Sequence, residues 1–127
     1  MNLFFLAVFG AVGVICRYYI DNLVASWSVT TWPVSTFLIN CVGSLGIGAI
    51  YGATKDLGIV PTSISLFLTV GLLGGFTTFS AYSIQTLQLL EQGRIWTGAA
   101  YLIGSPIAGL ACAFVGVFAA RTIVGAL

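Results

Sequence analysis

Charge is what this sequence has least of. Four Lys/Arg, three Asp/Glu and no histidine make up 6% of its 127 residues, against 59% apolar and a mean hydropathy of +1.11. A water-soluble domain of this length cannot cover its surface with so little charge. The missing histidine and scarce carboxylates remove the usual groups for metal catalysis and acid–base hydrolysis, so no enzyme activity is expected. Cys16, Cys41 and Cys112 all fall in apolar tracts. An odd count of such thiols argues against a disulfide framework and shows no metal-ligand spacing. No nucleic-acid partner is expected.

What the chain has instead is long neutral sequence. The charges stand at Arg17, Asp21, Lys55, Asp56, Glu91, Arg94 and Arg121, leaving neutral tracts at 1–16, 22–54, 57–90 and 95–120. About 20 apolar residues cross a bilayer core. The chain therefore reads as one all-α, four-span transmembrane domain over 1–127, with spans near 3–24, 32–53, 60–90 and 96–120. Tract 57–90 is too long for one crossing, since its 34 residues would make a helix of about 51 Å. It contains GGFTTFSAYS at 74–83, where paired glycines and hydroxyls are poor helix material. A break near 74–78 divides the span into a half-helix from Pro61 and a second from Phe79. Pro61 and Trp32-Pro33 mark helix starts. No Lys/Arg-rich leader precedes the first span, and no cleaved signal peptide is expected.

Orientation normally follows excess Lys/Arg in cytoplasmic loops. Here one side carries Lys55 and Arg121, the other Arg94, and Arg17 if the end of span 1 counts. So small a bias fits insertion in both orientations; one fixed, weakly biased orientation is the alternative. Two inverted copies would share a two-fold axis in the membrane plane. Four helices of this size are not expected to enclose a pathway alone, which also points to a homodimer.

The polar residues inside the spans are the candidate site. Arg17 reads either as an arginine snorkelling to the interface beside Tyr18, Tyr19 and Asp21, or as a positive charge at the mouth of an anion path. Thr36, Asn40 and Ser44 form a stripe at one-turn spacing in span 2. It reads as interhelical hydrogen-bond glue or as donors to a passing solute. Span 4 repeats the pattern with Tyr101 and Ser105, then Gly109, and Pro106 predicts a local kink. Tyr101 also reads as an interfacial anchor. Gly71 and Gly75 form a close-approach face suited to two copies crossing. Phe79 and Tyr82 share a helix face with Thr86 a turn on, and aromatic edges carry partial positive charge that can face an anion. Plain core packing is the competing reading.

Donors dominate this inventory, and no Asp or Glu lies at a span centre, which favours a small, strongly accepting anion. The rival class, a small dual-topology multidrug or cation antiporter, needs a membrane-embedded carboxylate; Asp21, Asp56 and Glu91 all lie near span ends. A structural or assembly subunit is the third class.

Three motifs together resemble the Fluc (CrcB) family of bacterial fluoride channels over nearly the whole chain. They are Gly10, Gly13, Arg17 and Tyr18; Thr36, Asn40, Gly43 and Ser44; and GGFTTFS at 74–80, the most specific. The resemblance implies an antiparallel, dual-topology homodimer in the bacterial cytoplasmic membrane, passing fluoride passively through two pores and lowering intracellular fluoride. It implies Asn40, Phe79, Tyr82, Ser80, Tyr101, Ser105 and Thr36 along the fluoride pore and Arg17 in the vestibule. It further implies a structural sodium ion at the dimer axis on the backbone carbonyls of Gly74 and Thr77. Four positions depart from the family pattern: Tyr82 replaces a second Phe, Gln85 an acidic residue, Ala81 a Thr and Gly109 a frequent Ser.

Overall fold

A computed structural model describes residues 3–27, 30 and 32–125 of the chain. Four helical stretches are long and apolar enough to cross a membrane: Leu3–Trp27, Val34–Lys55, Thr62–Glu91 and Ile95–Ile123. We name the elements α1 (Leu3–Trp27), α2 (Val34–Tyr51), α3 (62–76), α4 (Phe79–Glu91) and α5 (Ile95–Gly125). Pro33 and Pro61 each stand immediately before a first helical residue, with non-helical ψ of 69° and 142°. Their fixed φ suits a helix entrance and their missing N–H costs nothing there.

Two of these helices are not uniformly wound. The end of the second span, Gly52–Asp56, and the middle of α3, Phe67–Leu73, are π-helical, a wider winding that re-aims side chains within one turn. Between α3 and α4 the helix is interrupted: Thr77 (φ −80°, ψ 158°) and Thr78 (φ −150°, ψ 113°) are both extended. The turn from α4 to α5 closes tightly on Gly93, at φ +73°. Gly93 N donates to Leu90 O and Arg94 N to Leu89 O, each at 3.0 Å. This pair of bonds is a Schellman cap and needs the left-handed conformation glycine tolerates.

The spans associate through glycine, as expected where lipid gives no hydrophobic drive between helices. A Cβ at Gly48 would overlap the Ala113 carbonyl, and one at Gly116 the Leu45 carbonyl. This pins α2 to α5 backbone against backbone. On the other side a Cβ at Gly13 would overlap the Leu72 carbonyl, and one at Gly75 would meet the Gly10 carbonyl, which seats α3 on α1. Gly71 likewise faces Leu6 and Phe9 of α1. The Gly71/Gly75 face is therefore filled within one chain and is not free for a second copy, contrary to the expectation from spacing alone. Few side chains are fully enclosed (Ile39, Thr36 and Tyr101 foremost), while Trp96, Phe114 and Phe118 point outward. Such a surface suits lipid and would aggregate in water.

Gly48→Ala places a methyl group on the Ala113 backbone, and overpacking of this kind costs about 1–3 kcal/mol. We expect a clear drop in the thermal midpoint of the detergent-solubilised protein. Gly104→Ala, where nothing beyond its own stretch of helix lies within 4 Å of the added carbon, is expected to leave the midpoint unchanged or slightly raised.

Candidate functional site

An interrupted helix in lipid must find partners for the backbone groups it releases. Around Thr77–Thr78 those partners are side chains of α1, α2 and the cap residue Thr78 itself. Asn40 of α2 binds Thr78 twice: Thr78 N donates to Asn40 Oδ1 at 2.9 Å, and Asn40 Nδ2 donates to Thr78 O at 3.2 Å. Thr78 also caps α4, its Oγ1 accepting from Ala81 N at 3.2 Å and lying 3.2 Å from Ser80 Oγ. On the far side, Arg17 Nε of α1 donates to Gly75 O at 3.3 Å.

These bonds change where backbone carbonyls at the break find donors. In a continuous helix Thr78 N would bond to Gly74 O, and Ala81 N to Thr77 O. Here Thr78 N goes to Asn40 and Ala81 N to the Thr78 hydroxyl. The Gly74 and Thr77 carbonyls thus lose the donors a continuous helix would give them, while Arg17 takes the Gly75 carbonyl. Gly74 is exposed on the surface of the chain. Backbone carbonyl oxygens are hard ligands and fit a hard cation in kind, although one chain supplies too few for a complete shell.

Beside the break, α2, α4 and α5 enclose a groove of about 350 Å³, open along one side, with Asn40, Ser44, Phe79, Tyr82 and Ser105 on its walls and Pro106 and Gly109 along α5. Phe79 is 78% exposed and Tyr82 only 7%. Their rings are 5.4 Å apart, inclined at 44°. Among the described residues no carboxylate lines this groove. Its polar atoms are amide and hydroxyl groups. Asn40 Nδ2 carries two protons, and the bond to Thr78 O uses one of them.

Behind the groove wall runs a neutral hydrogen-bonded chain. Tyr101 Oη donates to Gln85 Oε1 at 3.1 Å, and Gln85 Nε2 donates to Thr36 Oγ1 at 2.9 Å. Tyr101 is fully buried, with Trp32 edge-on at 5.4 Å and Tyr82 tilted at 5.4 Å.

The residues singled out from the sequence therefore separate into three places. Asn40, Phe79, Tyr82 and Ser105 share the groove. Thr36 and Tyr101 lie beneath its wall, joined through Gln85, and Tyr101 is no interfacial anchor. Ser80 is exposed beside the cap of α4, and Arg17 sits at the break, its guanidinium neither alone at the interface nor on the groove wall. Gln85 is the junction that spacing did not reveal. The signal was available, because a lone amide facing a buried Thr and Tyr has to bridge them.

Comparison with known proteins gives one consistent family. Residues 4–117 match the family described as CrcB-like protein, Camphor Resistance (CrcB). The chain is 33% identical over 122 residues to the fluoride-specific ion channel FluC of Geobacter sp. (strain M21), covering 96% of this chain and 98% of that protein. It is 37% identical over 111 residues to the protein of the same name from Methylobacillus flagellatus, covering 87% of each. The one from Chloroflexus aurantiacus is 36% identical over 116 residues, covering 91% and 92%.

Thr78→Ala removes the α4 cap while leaving the Asn40 bonds to the backbone in place. Loss of such a cap costs about 1 kcal/mol, and a modest fall in thermal midpoint is expected. Asn40→Ala strips both backbone groups of Thr78 and should cost more, because each group left unpaired loses about 1–3 kcal/mol. Equal midpoints for the two variants would contradict this division of labour.

Proposed function

The chain belongs to the CrcB-like protein family, and on that premise we propose that it is a fluoride-specific channel, a multi-pass protein of the bacterial cytoplasmic membrane that lets fluoride leave the cell down its gradient. The observation that carries the reading is the groove: a carboxylate-free trough lined by donors in an apolar helix bundle. Fluoride is small, tightly hydrated and a strong acceptor, so a path for it must replace water with hydrogen-bond donors. The remaining Asn40 N–H, the Ser44 and Ser105 hydroxyls and the positive edge of the exposed Phe79 ring are the groups that would do this. No proton is exchanged and no bond is made; conduction is passive. The lack of a groove carboxylate leaves a proton-coupled cation antiporter without its essential group.

A groove open along one side does not by itself exclude lipid. We propose that a second, inverted copy closes it, giving an antiparallel homodimer with two pores. The outward Phe79 and the near-zero orientation bias of Lys55, Arg94 and Arg121 support this arrangement. The same two-fold axis would bring a second pair of Gly74 and Thr77 carbonyls to the first, a set of oxygens suited to a structural sodium ion. Arg17, held on Gly75 O, would brace the break around that ion and lend positive potential to the approach.

In liposomes with a potassium ionophore clamping the voltage, the purified protein is expected to release fluoride and retain chloride. Equal efflux of the two halides, or none, would remove the channel reading. Asn40→Asp keeps the acceptor for Thr78 N but loses the donor and adds negative charge to an anion path; we expect fluoride efflux to fall at least tenfold. If both orientations insert, terminal tags will react from both membrane faces in similar measure, whereas one-sided labelling would exclude dual topology.

A further inference from the structure

Proline in the interior of α5 leaves one carbonyl without its donor. Pro106 lies within Ile95–Gly125 and has no N–H to give to the carbonyl four residues before it. That carbonyl belongs to Leu102, and it is the atom on which the Tyr82 hydroxyl sits: Tyr82 Oη donates to Leu102 O at 2.7 Å. This is a short, well-formed bond, made by a side chain that is 7% exposed. We infer that the Tyr82 hydroxyl stands in for the N–H missing at Pro106, and that this strut fixes the spacing between the α4 and α5 walls of the groove.

Three observations carry the inference. The bond crosses from one groove wall to the other, because Tyr82 is on α4 while Ser105 and Pro106, on α5, line the same trough. Its donor has nothing left to offer a solute, since the one phenolic proton is committed to Leu102 O. And the tethered ring is fixed between Phe79 and Tyr101, 5.4 Å from each. Tyr82 is thus a positioning residue rather than a ligand: it presents its ring to the groove as phenylalanine would, and its hydroxyl holds the proline-containing helix in register. This inference rests on the reading of the groove as the fluoride path for its consequence, but the hydrogen bond itself can be tested apart from conduction.

The test is a double-mutant cycle of the wild type, Tyr82→Phe, Pro106→Ala and the double variant, read by thermal unfolding in detergent and by fluoride and chloride efflux from liposomes. Tyr82→Phe orphans the Leu102 carbonyl; we expect a lower thermal midpoint and a chloride-to-fluoride efflux ratio raised on the order of tenfold, in keeping with an unpaired buried acceptor. Pro106→Ala restores a helical N–H to Leu102 O. In that background Tyr82→Phe should change neither quantity by more than about twofold in efflux ratio or beyond error in midpoint. The same Tyr82→Phe effect in both backgrounds, or no effect in either, would overturn the inference. If Tyr82→Phe alone fails to fold, recovery of a folded double variant supports it and failure of the double variant opposes it. Wild-type vesicles that release no fluoride would refute the channel reading, and the coupling in thermal midpoint would then decide the strut alone.

Discussion

The two hydrogen bonds between Asn40 and the backbone of Thr78 are the interaction on which the rest of the site depends. Extended backbone in a bilayer is tolerated only where other protein groups satisfy it. Asn is unusual in offering a donor and an acceptor side by side, and so can close both groups of one residue. With Thr78 held, α4 can begin afresh at Phe79 with its own cap, and its first turn presents Phe79 and Tyr82 to the groove. Remove the amide and the chain has two poor choices: leave the groups unpaired, or rewind into a continuous helix and rotate every residue of α4.

One constraint thereby links the break and the groove. The groups that satisfy the break are drawn from α1, α2 and the cap residue Thr78, so the glycine contacts that seat α3 on α1 are a precondition for the site. Gly75 serves twice. Its lack of a side chain lets α3 lie on Gly10, and its carbonyl receives Arg17. On the opposite flank Gly48 and Gly116 lock α2 to α5, giving a fixed wall against which α4 is set by Tyr82. Neutral partners throughout the groove and the Thr36–Gln85–Tyr101 chain avoid the expense of a charge in hydrocarbon, and the proposed anion path would gain from a lining that binds without holding.

Much of this was legible in the residues themselves. Seven charges delimit four spans, and two glycines followed by hydroxyls mark where the third cannot continue. Periodicity also put Thr36, Asn40 and Ser44 on one face, and Phe79 with Tyr82 on another. It could not say what each face meets. The Gly71/Gly75 spacing is the same whether the partner is α1 or a second copy, and the contacts turn out to be with α1. Arg17 near a span end fits snorkelling as well as it fits a long reach to Gly75 O. Tyr101 near the start of its helix resembles an interfacial anchor, yet Trp32 and Tyr82 enclose it completely. In each case helical spacing defines direction about an axis, while the partner depends on how neighbouring helices are placed in space. Tyr82 shows the same limit at one residue: only the proximity of Leu102, four residues before a proline, explains its hydroxyl.

The central claim is that one chain carries half of a fluoride path and an inverted copy completes it. An experimental structure of the purified protein in sodium fluoride tests this most directly. The account predicts two antiparallel copies closing each other's grooves, density for an anion beside Asn40 and Phe79, and a cation among the Gly74 and Thr77 carbonyls of both. A groove that faces lipid, with no second copy across its opening, would contradict it.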